Sequence, residues 1–206
     1  MATNQGLRRA YTLWAAVYDP VTRVLRRARR RSIALLDIRP SDAVLLVGCG
    51  TGADFEFLPP EARCVAVDLT PAMLRRAAAK VENRQIRLAE MDAMNLSVPD
   101  NTFDKAILHH ILAVVPDPVR ALREAERVTR PGGHLVVLDK FWNRPRRPPL
   151  LLRVVSAVVS RVATATDRNF PAILARTSLE IVREIPMAFG GLYFLYLLRK
   201  PPSVAH

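Results

Sequence analysis

A chain of 206 residues, 50% of them hydrophobic and 24% charged, is long enough to bury one full core and is not disordered in composition. A net charge of +12 implies an anionic partner: nucleic acid, a lipid surface or a phosphorylated substrate. Cys49 and Cys64 have no paired spacing for a disulfide framework or zinc site, so no metal and a reducing cytoplasm are expected. No apolar run is long enough to span a bilayer, and the N-terminus lacks a signal-peptide core, which leaves a single soluble or peripheral domain over 1–206.

In chain order, residues 1–40 read as an arginine-rich amphipathic region. Tyr11, Trp14 and Tyr18 precede a helix from about Pro20 to Leu36, on which Val21, Val24, Leu25, Ala28, Leu35 and Leu36 recur at helical spacing. Arg23, Arg26, Arg27, Arg29, Arg30 and Arg31 take much of the remaining circumference, as a solvated face or as a contact for phosphates. The core, 41–140, opens with the apolar run Val44–Val47, which breaks into Gly48-Cys49-Gly50-Thr51-Gly52. Such a run reads as a buried parallel strand turning sharply into a helix, with glycines that let backbone amides approach a ligand. A second strand, Val65–Asp68, ends in an acid at the distance suited to both hydroxyls of a ribose, so an adenosine-containing cofactor is expected.

Thr70-Pro71 then starts a helix with a capping hydroxyl. Gln85–Glu90 reads as strand three, followed by Met91-Asp92-Ala93-Met94, and Phe103–His109 as strand four. Asp117-Pro118 opens a helix ended by Arg130-Pro131-Gly132-Gly133, and His134–Asp139 is strand five. From 141 to 206 the chain carries a basic, aromatic, proline-rich connection, an apolar segment from Leu150 to Ala163, and two last strands, Ser178–Ile185 and Leu192–Arg199, as an antiparallel pair. The expected fold is α/β: a three-layer sandwich around a mostly parallel seven-stranded sheet with an antiparallel last strand.

The stretch Gly48-x-Gly50-x-Gly52 after strand one resembles the first motif of the class I S-adenosylmethionine-dependent methyltransferases; dinucleotide sites space their third glycine one residue later. The Arg130-Pro131-Gly132-Gly133 turn is a further feature of that class. The resemblance implies S-adenosylmethionine as cofactor, bound by Tyr18, Gly48, Cys49, Gly50, Thr51, Gly52, Asp68, Leu69, Met73, Asp92, Ala93, Met94 and His109, with Asp92 on the adenine amino group. The chain departs from the family at Leu46, where an acid is usual.

Tyr11…Trp14-Ala15…Val17-Tyr18-Asp19 before an arginine-rich helix, and Val114-Val115-Pro116-Asp117-Pro118, resemble small bacterial phosphatidylethanolamine N-methyltransferases and the neighbouring ubiquinone/menaquinone methyltransferases. That implies a phospholipid substrate on an anionic membrane surface, with the protein held peripherally at the inner face. Arg26, Arg27, Arg30 and Arg31 would face the lipid, and Tyr11, Trp14, Phe141 and Trp142 would lie at the substrate or membrane. An ethanolamine ammonium must lose a proton before its nitrogen attacks, so His109, His110 and Tyr18 are the candidate catalytic groups. Strand parity turns one of the two histidines to the site without saying which. A quinone or other small lipophilic substrate and an RNA substrate are the alternatives, although His109-His110-Ile111-Leu112 stands where methylases of base amines carry an Asn/Asp-Pro-Pro-aromatic motif.

Overall fold

The computed structural model describes residues 26–81, 83–141, 168–187 and 193–203. Seven strands form one sheet: β1 (Ala43–Val47), β2 (Arg63–Asp68), β3 (Ile86–Glu90), β4 (Phe103–His109), β5 (Thr129–Lys140), β6 (Glu180–Pro186) and β7 (Tyr193–Arg199). Their order is β3-β2-β1-β4-β5-β7-β6. Strands β1 to β5 pair in parallel, whereas β7 runs antiparallel to both β5 and β6. The chain therefore leaves β1 in one direction and returns to β4 on its other side, which opens a crevice at the carboxyl ends of these strands.

Helices cover both faces, and for that reason the central strands are apolar on both sides. Leu45, Val47, Ala106, Leu108, Leu135 and Val137 meet Ala121, Leu122, Ala125 and Val128 of α3 (Pro118–Val128) and Phe170 of α4 (Phe170–Leu174). On the opposite face Val44, Leu46, Ala66, Ile107, Val136 and Leu138 meet Ala28 and Ile33 of α1 (Arg26–Leu35) and Ala77 of α2 (Pro71–Ala78). The expected three layers and antiparallel last strand are all present.

Details of the local reading change. Helix α2 begins at Pro71 as expected, but the Thr70 side chain makes no capping bond; its backbone amide goes instead to the Asp68 carboxylate at 2.8 Å. At α3 the Asp117 side chain does accept, from the amide of Arg120 at 3.0 Å. After Val128 the chain passes straight into extended backbone, so β5 starts at Thr129 and not at His134. The Gly132-Gly133 pair lies within this strand, bonded to the far end of β7 through Gly132 N–H to Lys200 C=O and Lys200 N–H to Gly133 C=O, both 2.9 Å.

Two expectations about side chains are corrected. Phe141 does not stand at a substrate surface: it is fully buried, 4.8 Å from the Phe170 ring and 6.0 Å from that of Tyr196, in the layer that α3 and α4 cover. The arginine face of α1 is not uniformly solvated either. Ala28, Arg29, Ser32 and Ile33 form its buried stripe, while Arg27, Arg30 and Arg31 are exposed and Arg26 pairs with Glu56. Tyr11, Trp14, Tyr18 and Trp142 lie outside the described residues. Among those residues no helix is long and apolar enough to cross a membrane.

Candidate active site

The crevice at the carboxyl ends of β1, β2 and β4 is floored by the glycine turn. Gly48 has φ +70°, and a Cβ there would come within 2.7 Å of Ile111 Cδ1; only glycine allows the turn and its cover to approach this closely. Asp68 closes β2 with both carboxylate oxygens aimed by the backbone: Oδ2 accepts from Gly50 N–H and Oδ1 from Thr70 N–H, each at 2.8 Å. Burial raises its pKa, and those amide bonds work in the opposite direction. Gly48, Gly50, Asp68, Leu69, Met73, Asp92 and Ala93 all line the cleft. Asp92 accepts from Met94 N–H at 2.9 Å, an Asx-type turn that fixes the carboxylate beside the apolar wall.

Other expected residues support the cleft from behind. Cys49, Thr51 and Gly52 are buried in the turn and do not line it, and Met94 contributes its amide to Asp92. Thr70, Met91, Ile111, Val114 and Val115 also line the cleft, although none of them is among the cofactor contacts expected from the sequence. The segment over the cleft is anchored twice. Asp139 accepts from Ala113 N–H at 2.8 Å, and the Arg168 guanidinium donates to the carbonyls of Leu112 and Val115.

Beneath the turn lies a buried polar chain that the sequence did not suggest. Asp54 Oδ2 is 2.7 Å from Arg29 Nη1, its Oδ1 is 2.9 Å from His109 Nδ1, and His109 Nε2 is 2.8 Å from Ser32 Oγ. Because the carboxylate can only accept, Nδ1 carries the proton, and in the neutral ring Nε2 accepts from the Ser32 hydroxyl. Burial pushes the Asp54 pKa up, but the Arg29 charge and the bonds from His109 and Arg29 outweigh it and hold the carboxyl well below its usual range.

The two histidines thus separate. His109 is bound on both nitrogens and does not line the cleft, whereas His110 does. His110, just past the end of β4, stands in left-handed backbone at φ +58°, uncommon for a residue with a Cβ and a mark of functional sites. Among the described residues its buried Nε2 has no hydrogen-bond partner, and its ring stands edge-on to Tyr193 with centroids 5.8 Å apart. Burial lowers its pKa well below 6.5, and the positive charge of Arg29 and the field of His109 lower it further.

A methyltransferase domain profile matches residues 45–137. A phosphatidylethanolamine N-methyltransferase from Cereibacter sphaeroides is 32% identical over 201 residues, covering 95% of this chain and 98% of that protein. The chain belongs to the S-adenosylmethionine-dependent methyltransferases. A demethylmenaquinone methyltransferase from Corynebacterium urealyticum is 36% identical over 141 residues, but the match spans only 64% of this chain and 60% of that protein. Among solved structures, the [4+2]-cyclase SpnF superposes with a TM-score of 0.80 at 18% identity over 98% of both chains, a likeness of fold.

The cleft of this methyltransferase fits S-adenosylmethionine by its donor set. Asp68 is a buried carboxylate that would suit paired ribose hydroxyls, and Asp92 a carboxylate that would suit an exocyclic amine. Leu69, Met73 and Ala93 give apolar surface for a flat base, and Gly48 and Gly50 leave the backbone open to close approach. Asp68→Ala should weaken binding of S-adenosylhomocysteine by about 1.5–3 kcal/mol, the range for hydrogen bonds to a charged group, as calorimetry can check. Arg29→Met leaves Asp54 buried against His109 alone, and should cost about 3–5 kcal/mol in urea unfolding. Combining it with Asp54→Leu should recover part of that loss, since the orphaned charge is then gone.

Proposed function

We propose that this methyltransferase transfers a methyl group to the head-group amine of a membrane phospholipid, phosphatidylethanolamine, at the inner face of the membrane. The observation that carries the reading is His110: it lines the cleft of a methyltransferase, is kept neutral by burial, and its buried Nε2 has no hydrogen-bond partner among the described residues. Amine methylation is a reaction that has a proton to dispose of. The end-to-end match to the Cereibacter sphaeroides enzyme supports the same substrate, against a match of little more than half the length of the menaquinone enzyme.

When bound, S-adenosylmethionine supplies an electrophilic methyl group on a sulfonium. Asp68 and Asp92 hold the adenosine end, and the glycine turn leaves the backbone open to it. Ile111, Val114 and Val115 close apolar surface over the cleft and keep water from the reacting centre. With the cofactor held there, the neutral amine nitrogen would take that methyl group on its lone pair, the carbon–sulfur bonding pair staying with the leaving thioether. His110, kept neutral, accepts a hydrogen bond from the amine N–H, and the proton released goes on to water. Burial and the charges of Arg29 and Lys140 disfavour a cation at His110, and the same surroundings lower the pKa of an ammonium beside it, so the neutral nucleophile is formed there.

Incubating the protein with labelled cofactor and separate pools of phospholipids, quinones and RNA tests the substrate class: label in the quinone or RNA pool alone refutes the lipid reading. Because His110 must be neutral to act, activity should be retained through neutral pH and fall only as pH drops below the ordinary histidine value of 6.5. Charged and polar groups face it from α1 (Arg29), the turn (Asp54), β4 (His109) and β5 (Lys140), and the balance is unfavourable to protonation. His110→Asn should lower kcat by about 10²–10⁴ and abolish that acid limb in a pH–rate profile.

The exposed Arg27, Arg30 and Arg31 give α1 an outward cationic face suited to anionic lipid. Replacing these three with Gln should reduce sedimentation with anionic vesicles, a binding that rising salt also releases, while cofactor affinity stays intact. Equal sedimentation of the parent protein with purely zwitterionic vesicles would count against the membrane contact.

A further inference from the structure

The cofactor cleft lies at the carboxyl ends of β1, β2 and β4, and a second groove, of about 800 Å³, lies at the amino ends of the same strands and reaches β3. Its floor is apolar: Val65, Ile86, Val98 and Phe103 line it, with Ile86 and Phe103 buried. Its rim is cationic, with Arg63 on β2, Arg84 just before β3, Arg87 on β3 and Arg130 on β5. A concave apolar floor with a few convergent polar groups is the form that small-ligand sites take.

The charges of this rim do not cancel. Asp104 is the one acid among the described lining residues, and it is already engaged: Oδ1 accepts from Arg130 Nη1 at 2.6 Å and Oδ2 from Ala43 N–H at 2.8 Å. Arg63 and Arg84 meet only backbone carbonyls, that of Ser41 at 2.7 Å and that of Leu58 at 3.1 Å, each through one nitrogen. Arg87 is exposed and makes no hydrogen bond or ion pair among the described residues. Register brings two of the three together. Arg87 pairs with Val65 across the β2–β3 ladder, and Arg63, two residues before Val65, stands on the same face one diagonal step away. At a diagonal spacing of about 7–8 Å, two long side chains can close on one group between them.

Three guanidinium groups without an acid repel one another, and an anion that accepts from all of them relieves that repulsion. A carboxylate brings one charge, whereas a phosphate monoester brings close to two charges and three acceptor oxygens. We propose that this groove binds a phosphate monoester with an apolar body, the phosphate held by Arg63, Arg84 and Arg87 and the body laid on Val65, Val98 and Phe103. The site is separate from the cofactor cleft and does not depend on which substrate is methylated. A nucleotide and a lipid of the phosphatidic acid kind both carry this chemistry, one with a flat body and the other with acyl chains.

Calorimetry on the full chain tests the site, with S-adenosylhomocysteine saturating so that the cofactor cleft is filled, and with hexyl phosphate as the probe. Hexyl phosphate should bind the parent, more weakly as salt rises. Arg63→Gln and Arg87→Gln should each weaken it about tenfold or more, the loss of a charge-assisted hydrogen bond. Both side chains are exposed, so the variants should unfold in urea as the parent does. Inorganic phosphate should bind less tightly, because it leaves the apolar floor bare. Replacing Arg27, Arg30 and Arg31 of α1 with Gln should leave the affinity within twofold. Four results overturn the proposal: no binding to the parent, undiminished affinity in the Arg63→Gln/Arg87→Gln double variant, an equal loss in the α1 variant, or hexyl phosphate binding no tighter than inorganic phosphate. Adenosine monophosphate and dihexanoyl phosphatidic acid then separate the two sources. The one that the parent binds and the double variant loses identifies the body, and failure of both overturns the site.

Discussion

The Asp54 carboxylate is the contact on which the site depends. It sits just after the glycine turn, away from water, and ties three segments together: the turn it belongs to, α1 through Arg29, and the end of β4 through His109, whose second nitrogen returns to α1 at Ser32. A charge buried this deeply is tolerated only while its partners are in place. The glycine turn and the histidine pair are therefore set only when α1 is docked on the sheet. Seen this way, α1 is part of the floor of the cofactor cleft as much as a surface helix.

Leu46 can be understood against that arrangement. It lies fully buried on the α1 face of β1, among Val44, Ala66, Ile107 and Leu138, where an acid on the strand would have no aqueous contact. The buried acid of this layer comes from the turn and not from the strand, with its counter-charge supplied by α1. The arginine-rich helix thus serves two purposes separated by helical geometry. Residues 28, 29, 32 and 33 form the inward stripe, and Arg27, Arg30 and Arg31 point away from it.

What the sequence could and could not disclose follows from the range of the interactions. The turn at Gly48–Gly52, the acid ending β2 and the strand–helix alternation are local patterns, and they led directly to the fold and to the cofactor cleft. Arg29 could not be told from its five neighbouring arginines, because its partner lies 25 residues away and the pairing exists only once α1 crosses the turn. Phe141 likewise looked like a surface aromatic beside a basic run, but α4 brings Phe170 over it and makes it core. Parity allows only one of His109 and His110 to turn to the cleft. Which of them faced the cleft depended on Ser32 and Asp54, both supplied from outside β4.

The same surroundings also decide how the site handles charge. His110 has Arg29 and Lys140 near it, with Asp54 as the nearest opposing charge already engaged by Arg29 and His109. Protonation at His110 is thereby suppressed, as is any other cation placed beside it. A sulfonium and an ammonium held together in such a cleft repel each other and the protein, and both lose by desolvation. For the amine substrate proposed above, losing its proton would remove one of these charges, and methyl transfer would then move the other to nitrogen. The electrostatics of the cleft would therefore favour such a nucleophile in its deprotonated form, which is the form that can attack.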